Sequence, residues 1–138
     1  MTGSDADFIV KVIDVWPAGS TVPAAQEGGK PVIMDGYQQM VRAEVLRGKF
    51  RNSFSTPEPF VKGRIEKVTV KLNEVAHTFK KGHSVMVQVQ SSWFPLVDRN
   101  PQKFMNIFEA SESDFQKSEI TIHHNARNPS SITLPVMR

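Results

Sequence analysis

Four histidines are the side chains of this sequence best suited to proton transfer or metal ligation, and cysteine is absent. Without cysteine there is no disulfide, thiolate metal site or cysteine nucleophile, although this does not fix a compartment. Glu74 and His77 lie three positions apart. A single helical turn with Asn73 at its N-cap would bring both to one side, a spacing that metal ligands can use. His123 and His124 are adjacent, so on a strand they point to opposite faces and cannot share an ion. A catalytic histidine also needs a nucleophile to activate. The G-x-S-x-G turn of serine hydrolases is missing: Ser4 and Ser20 directly follow glycines, at the wrong spacing. The zinc-protease run H-E-x-x-H, the phosphate loop G-x-x-x-x-G-K-[ST] and the dinucleotide fingerprint G-x-G-x-x-G are absent too. The chain is therefore expected to supply no catalytic residue, no metal site and no cofactor site.

The most unusual segment is Ser91-Ser92-Trp93-Phe94-Pro95-Leu96-Val97-Asp98-Arg99-Asn100-Pro101. Large apolar groups are held between two prolines directly after a strand-like run. Loops normally lie on the surface, so Trp93 and Phe94 must bury themselves within the chain or against a partner. Asp98, Arg99 and Asn100 read as turn chemistry. Composition leaves two readings open, a docking surface or pocket wall and a loop packed on its own domain.

The elements that would carry these residues are strands. At 138 residues the chain has the size of one domain, taken as 1–138. No apolar run reaches the ~18 residues of a membrane span, and the polar start Met1–Asp7 is unlike a secretory signal. Residues 42–81 hold ten Lys/Arg against four Asp/Glu, within a net charge of +3. No nucleic-acid motif accompanies that basic stretch, so neither nucleic acid nor a membrane is expected as a partner.

Asp7–Val15 is β-branched and short, with apolar groups on both faces, as in a strand covered on both sides with Lys11 and Asp14 near openings. Residues 17–36 form a long Pro/Gly-rich excursion. Gln38–Leu46 alternates, with Val41, Ala43 and Val45 opposite Met40, Arg42 and Glu44. Arg64–Leu72, Ser84–Gln90, Lys117–His124 and Ser131–Val136 bring the total to six strands, with Val85, Val87 and Val89 expected to point inward and 103–108 as an irregular seventh. Strands with long connections and no helical periodicity predict an all-β antiparallel sandwich, with a jelly roll favoured over an up-and-down barrel.

The ordered motifs resemble the C-terminal domain of the X-prolyl dipeptidyl-peptidase family of serine hydrolases, which includes cocaine esterase and α-amino acid ester hydrolases. The strongest run is Val87–Pro101. Asp5-Ala6-Asp7-Phe8 leading into Val10–Asp14, Gly36-Tyr37 with Arg42, Leu46, Arg47 and Arg51, Pro57-Glu58-Pro59, His77-Thr78-Phe79, Gly82-His83 and Ile132–Pro135 follow in order. The resemblance implies a galactose-binding-domain-like jelly roll that accompanies an α/β-hydrolase domain with a Ser-His-Asp triad and a helical cap. That triad lies in the hydrolase domain, which this chain does not contain, so no catalytic residue carries over. The hydrolase and cap domains are the implied partners. Trp93, Phe94, Pro95, Asp98, Arg99 and Asn100 become the candidate docking or pocket-edge residues, because in the family this loop faces the other domains. Relatives carry at least one strand before Thr2, so the jelly roll is expected to be incomplete at its N-terminal edge and the chain to self-associate. The expected function is a non-catalytic docking domain of a hydrolase acting on peptides, amides or esters. The alternative is an autonomous carbohydrate- or peptide-binding module, with Trp93, Asp98 and Asn100 as its sugar platform.

Overall fold

A computed structural model describes residues 1–136. Five strands form two antiparallel sheets: β1 (Asp7–Val15), β2 (Thr21–Val22), β3 (Val32–Ile33), β4 (Gln38–Arg47) and β5 (Ser84–Gln90). The larger sheet has the order β4-β1-β5, and β2 pairs with β3. The only helical pieces among the described residues are three short 3-10 turns, Gly48–Phe50, Ile107–Glu109 and Glu112–Asp114. The chain is all-β and antiparallel, as its alternating apolar pattern requires.

β1 is the central strand because its β-branched residues suit burial on both faces. Phe8 and Val12 are buried on one face, Ile9 and Ile13 on the other. Cross-strand pairing sets Val10 against Glu44 and Val89, and Val12 against Arg42 and Val87. The register shifts between Val12 and Ile13, leaving Val41 without a partner. This bulge moves Met40 opposite Ile13, so Met40 joins the face of Ala43 and Val45 instead of that of Arg42. An inserted residue reverses the side-chain phase on one side of it.

The long excursion 17–36 contains the β2–β3 hairpin, closed by Met34 N–H donating to Ser20 O at 2.8 Å and Gly19 N–H donating to Asp35 Oδ1 at 3.1 Å. The β4 end is fixed by glycine. Gly48 N–H donates to Ala6 O at 2.8 Å, and a Cβ there would stand 2.5 Å from Ala6 O and 2.6 Å from Phe60 Cε2. Ala6, Phe8 and Phe60 form the main cluster, and Val68, Val70 and Ile120 pack on it. The segments containing those three residues thus cover the Phe8 side of the sheet, giving the second layer of a sandwich.

Several expected strands differ. Residues 64–72, 117–124 and 131–136 are not laddered. In 64–72 the alternation shows in the partly buried Val68 and Val70, while Ile65 stays 55% exposed, and periodicity does not supply a backbone hydrogen-bonding neighbour. Residues 103–108 turn instead, with Asn106 Oδ1 accepting from Phe108 N–H at 3.2 Å. No helical turn forms at 73–77; the Asn73 side-chain amide donates to Glu44 Oε1 at 2.7 Å, tying this segment to β4. Val85, Val87 and Val89 remain 49%, 43% and 41% exposed, so they are not interior.

Candidate docking surface

The loop that follows β5 is tied down at both ends and apolar at its tip. At its start Trp93 is partly buried, and Lys11 Nζ stands 4.3 Å from the ring centroid. This cation–π contact gives Lys11 a partner within a largely apolar strand. Val97 N–H donates to Trp93 O at 3.0 Å, closing the loop into one turn. At the tip Phe94 is 64% and Leu96 69% exposed, with Pro95 between them also exposed. Asp98 and Arg99 lie on the surface. The Arg99 guanidinium stands 4.6 Å over the Phe115 ring and 3.7 Å from Glu112.

Asn100 is different from the rest of the candidates. It is buried, and its amide donates to Asp7 Oδ1 at 2.9 Å and Asp5 Oδ2 at 3.2 Å. Its Oδ1 accepts from Gln102 N–H at 2.8 Å. Asp5 Oδ1 accepts in turn from the backbone N–H groups of Ala6 and Lys49, each at 2.9 Å. Arg47 Nε reaches Asp7 Oδ1 at 3.3 Å. Burial pushes the Asp7 carboxyl above its usual value, against the pull of the Asn100 hydrogen bond and of Arg47. Asn100 therefore anchors the loop to the start of β1 and presents nothing outward. A sugar platform of Trp93, Asp98 and Asn100 does not assemble, since Asn100 points into the protein.

A second polar cluster sits at the other end of β1. Asp14 is 2% exposed, so it is interior and not near an opening. His77 Nε2 donates to its Oδ2 at 2.8 Å and His83 Nδ1 to its Oδ1 at 2.7 Å. Burial acts upward on Asp14, but these two hydrogen bonds outweigh it and hold the carboxyl below its usual value. Trp16 packs on His83 with centroids 4.7 Å apart, and Phe79 meets His77 edge-on at 4.8 Å. Each histidine is committed to the carboxylate between them, and the cluster ties the 73–83 connection to β1. Glu74 is exposed and takes no part. Sequence reasoning missed this cluster. Its signal was an acid inside a β-branched strand, which needs donors from elsewhere.

Three arginines of the basic stretch, Arg42, Arg47 and Arg51, are also spent internally. Arg51 bonds Glu66 Oε2 at 2.9 Å, Glu58 O at 2.8 Å and Pro59 O at 3.0 Å, and stands 3.9 Å over the Phe60 ring. Arg47 pairs with Asp7 and Arg42 with Glu44. Leu96 is the residue that the sequence candidates omitted and the geometry adds. It shares the exposed tip with Phe94, and its signal was an apolar residue in a loop rich in turn formers.

Comparison with known proteins defines the class: this is an all-β accessory domain of the hydrolase kind. The chain belongs to the family described as the X-Pro dipeptidyl-peptidase C-terminal non-catalytic domain, which matches residues 1–133. It is 28% identical over 134 residues to cocaine esterase of Rhodococcus sp. (strain MB1 Bresler), covering 97% of this chain and 20% of the esterase. An aminopeptidase from the marine sediment archaeon Thaumarchaeota archaeon superposes with a TM-score of 0.70 at 44% identity, over 83% of this chain and 18% of that one. An α-amino acid ester hydrolase does so with a TM-score of 0.72 at 45% identity, again over 83% and 18%. The chain thus spans about a fifth of the length of the relatives it matches. The resemblance carried by Val87–Pro101 and the ordered motifs around it is confirmed.

Proposed function

We propose that this chain is a docking domain that seats the Phe94–Leu96 tip against the α/β-hydrolase and cap domains of a serine hydrolase acting on peptides, amides or esters. The observation that carries the reading is the construction of the loop. Asn100 and Trp93 are fastened to β1, while Phe94 and Leu96 stay 64% and 69% exposed. Holding large apolar groups in water has no benefit for the chain itself, and rigid anchors lower the entropy lost on binding. Pro95 stiffens the tip, and Asp98 and Arg99 supply a polar rim of the kind that surrounds apolar interface centres. The names of the relatives, an esterase, an aminopeptidase and an ester hydrolase, fit a common acyl-transfer partner with differing substrates. In such a partner serine attacks the carbonyl, histidine shuttles the proton and aspartate orients the histidine. The present chain contributes interface to that chemistry.

The test is binding between the chain and a separately produced hydrolase-plus-cap portion of the protein it accompanies. Phe94→Asp with Leu96→Asp should weaken association at least tenfold while leaving the unfolding midpoint of the chain itself within about 2 °C, since both side chains are exposed. Association unchanged by the double substitution would reject the tip as the docking surface.

A further inference from the structure

The extended segment 64–72 is not laddered onto β4, and a cleft of about 330 Å³ lies between the two, bounded also by residues 50–54. Its walls are tied together twice. Asn73 Nδ2 donates to Glu44 Oε1 at 2.7 Å, and Arg51 Nε donates to Glu66 Oε2 at 2.9 Å. The cleft is thus preformed, and little ordering remains to be done when a ligand enters. Leu46, Phe50 and Val70, each partly buried, give it an apolar lining. Phe54 adds an aromatic ring that is 85% exposed. That ring sits on a turn fixed by Ser53 Oγ, which accepts from the N–H groups of Ser55 at 3.2 Å and Thr56 at 3.1 Å. Ligand cavities run from ~300 to ~1,000 Å³, so this one suits a single small molecule.

The charges around the cleft do not cancel. Glu44 is answered by Arg42, and Arg51 by Glu66. Lys71 also lines the cleft, is exposed, and has no ion-pair partner among the described residues. Beside Glu44, Arg42 keeps a buried Nε–H without an acceptor. The surplus is positive charge and donors, so a complementary ligand brings a negative charge and acceptor oxygens. An ammonium would meet Lys71 and find the Glu44 carboxylate already held by Arg42 and Asn73. We infer that the cleft binds a small monocarboxylic acid with an apolar or aromatic body, which lies against Leu46, Phe50 and Phe54 and sets its carboxylate on Lys71. A flexible ammonium of this kind serves as a point charge for such a group. Acids of this class are released when esters, amides or peptides are hydrolysed, so, resting on the function proposed above, the site holds a product of the adjoining domain.

Sodium phenylacetate titrated into the isotope-labelled full chain, followed by amide NMR shifts, tests the site. Phenylacetate should give saturable shifts confined to residues 44–46, 50–54 and 69–73. Phenylacetamide, of the same shape without the charge, should bind at least about threefold more weakly. Acetate, with the charge but no apolar body, should bind at least about tenfold more weakly. Lys71→Gln should weaken phenylacetate about threefold and leave phenylacetamide unchanged, whereas Phe54→Ala should weaken both. Both side chains are exposed, so these variants should keep the unfolding midpoint of the parent. Absence of saturable shifts overturns the inference. So do shifts scattered over other surfaces, and so does phenylacetamide binding as tightly as phenylacetate. N-acetyl-glycyl-phenylalanine binding more tightly than phenylacetate overturns the assignment to a small acid and makes the cleft a site for peptide ends. The titration involves no hydrolase, so its failure is distinct from a failure of the Phe94–Leu96 tip to dock.

Discussion

Replacing Asn100 by alanine isolates the contact that fastens the loop to the sheet. The substitution removes two hydrogen bonds to buried carboxylates, at 2.9 Å to Asp7 and 3.2 Å to Asp5, and the 2.8 Å bond from Gln102 N–H. Asp5 is 0% and Asp7 2% exposed, so water cannot take over as donor. A hydrogen bond to a charged group is worth about 1.5–3 kcal/mol net, and bonds sharing one side chain do not add. A loss of about 2–4 kcal/mol is expected, a large part of the ~5–15 kcal/mol of an ordinary domain. The loss depends on pH in a definite direction. The folded Asp7 carboxyl already titrates above its reference value of 3.8 because burial outweighs the Asn100 and Arg47 contributions. An acid raised on folding lowers stability as pH rises from the unfolded value through the folded one. Without Asn100 the folded value climbs further and that interval widens. Urea unfolding of Asn100→Ala and the parent at several pH values should therefore show a deficit that grows from about pH 4 to pH 7. A deficit below about 0.5 kcal/mol at pH 7 would refute the anchoring role, since surface substitutions fall in that range. A deficit independent of pH would refute the electrostatic part of the argument.

Gly48→Ala should destabilise by ~1–3 kcal/mol in urea unfolding, because the new Cβ meets backbone and a core ring at 2.5 Å and 2.6 Å. At the other end of β1, Asp14→Asn should cost about 2–3 kcal/mol at pH 7 through weakened bonds to His77 and His83. Here the sign with pH is opposite to that of Asn100→Ala. Asp14 is lowered on folding, so its contribution is present above its unfolded value of 3.8 and lost as pH falls through the folded one. The gap between parent and variant, followed by thermal unfolding, should close on acidification below about pH 4.

The strands that pair through their own local pattern were legible in the sequence. β1 and β5 match their expected bounds, and β4 extends one residue past Leu46, because β-branched alternation and flanking turn residues both mark them. The Val41 bulge was invisible, since nothing in alternation reveals which residue a partner strand will skip. The same limit explains residues 64–72 and 117–124, whose ladders are absent although Val68, Val70 and Ile120 still pack on the core. In the loop, the apolar content of 93–97 signalled an unusual surface. The roles divided only in three dimensions, with Asn100 turned inward, Trp93 placed beneath Lys11 and Leu96 added at the tip. Turn-forming composition gives Asn100 and Asp98 the same appearance. The partner of Asn100 is Asp7, 93 positions away. Asp14 was conspicuous as a charge in an apolar strand, but its donors stand 63 and 69 positions along the chain.

The central claim is that the exposed tip of this loop is covered when the domain is joined to its hydrolase. Oxidative footprinting of Phe94 and Leu96 measures that coverage directly, with the free chain as reference. In the free chain both residues should be modified readily, in keeping with exposures of 64% and 69%. Joined to the hydrolase and cap domains, both should be protected, while Phe54, exposed at 85% on another loop, keeps its reactivity. Equal modification of Phe94 and Leu96 in the free and joined forms would contradict the account.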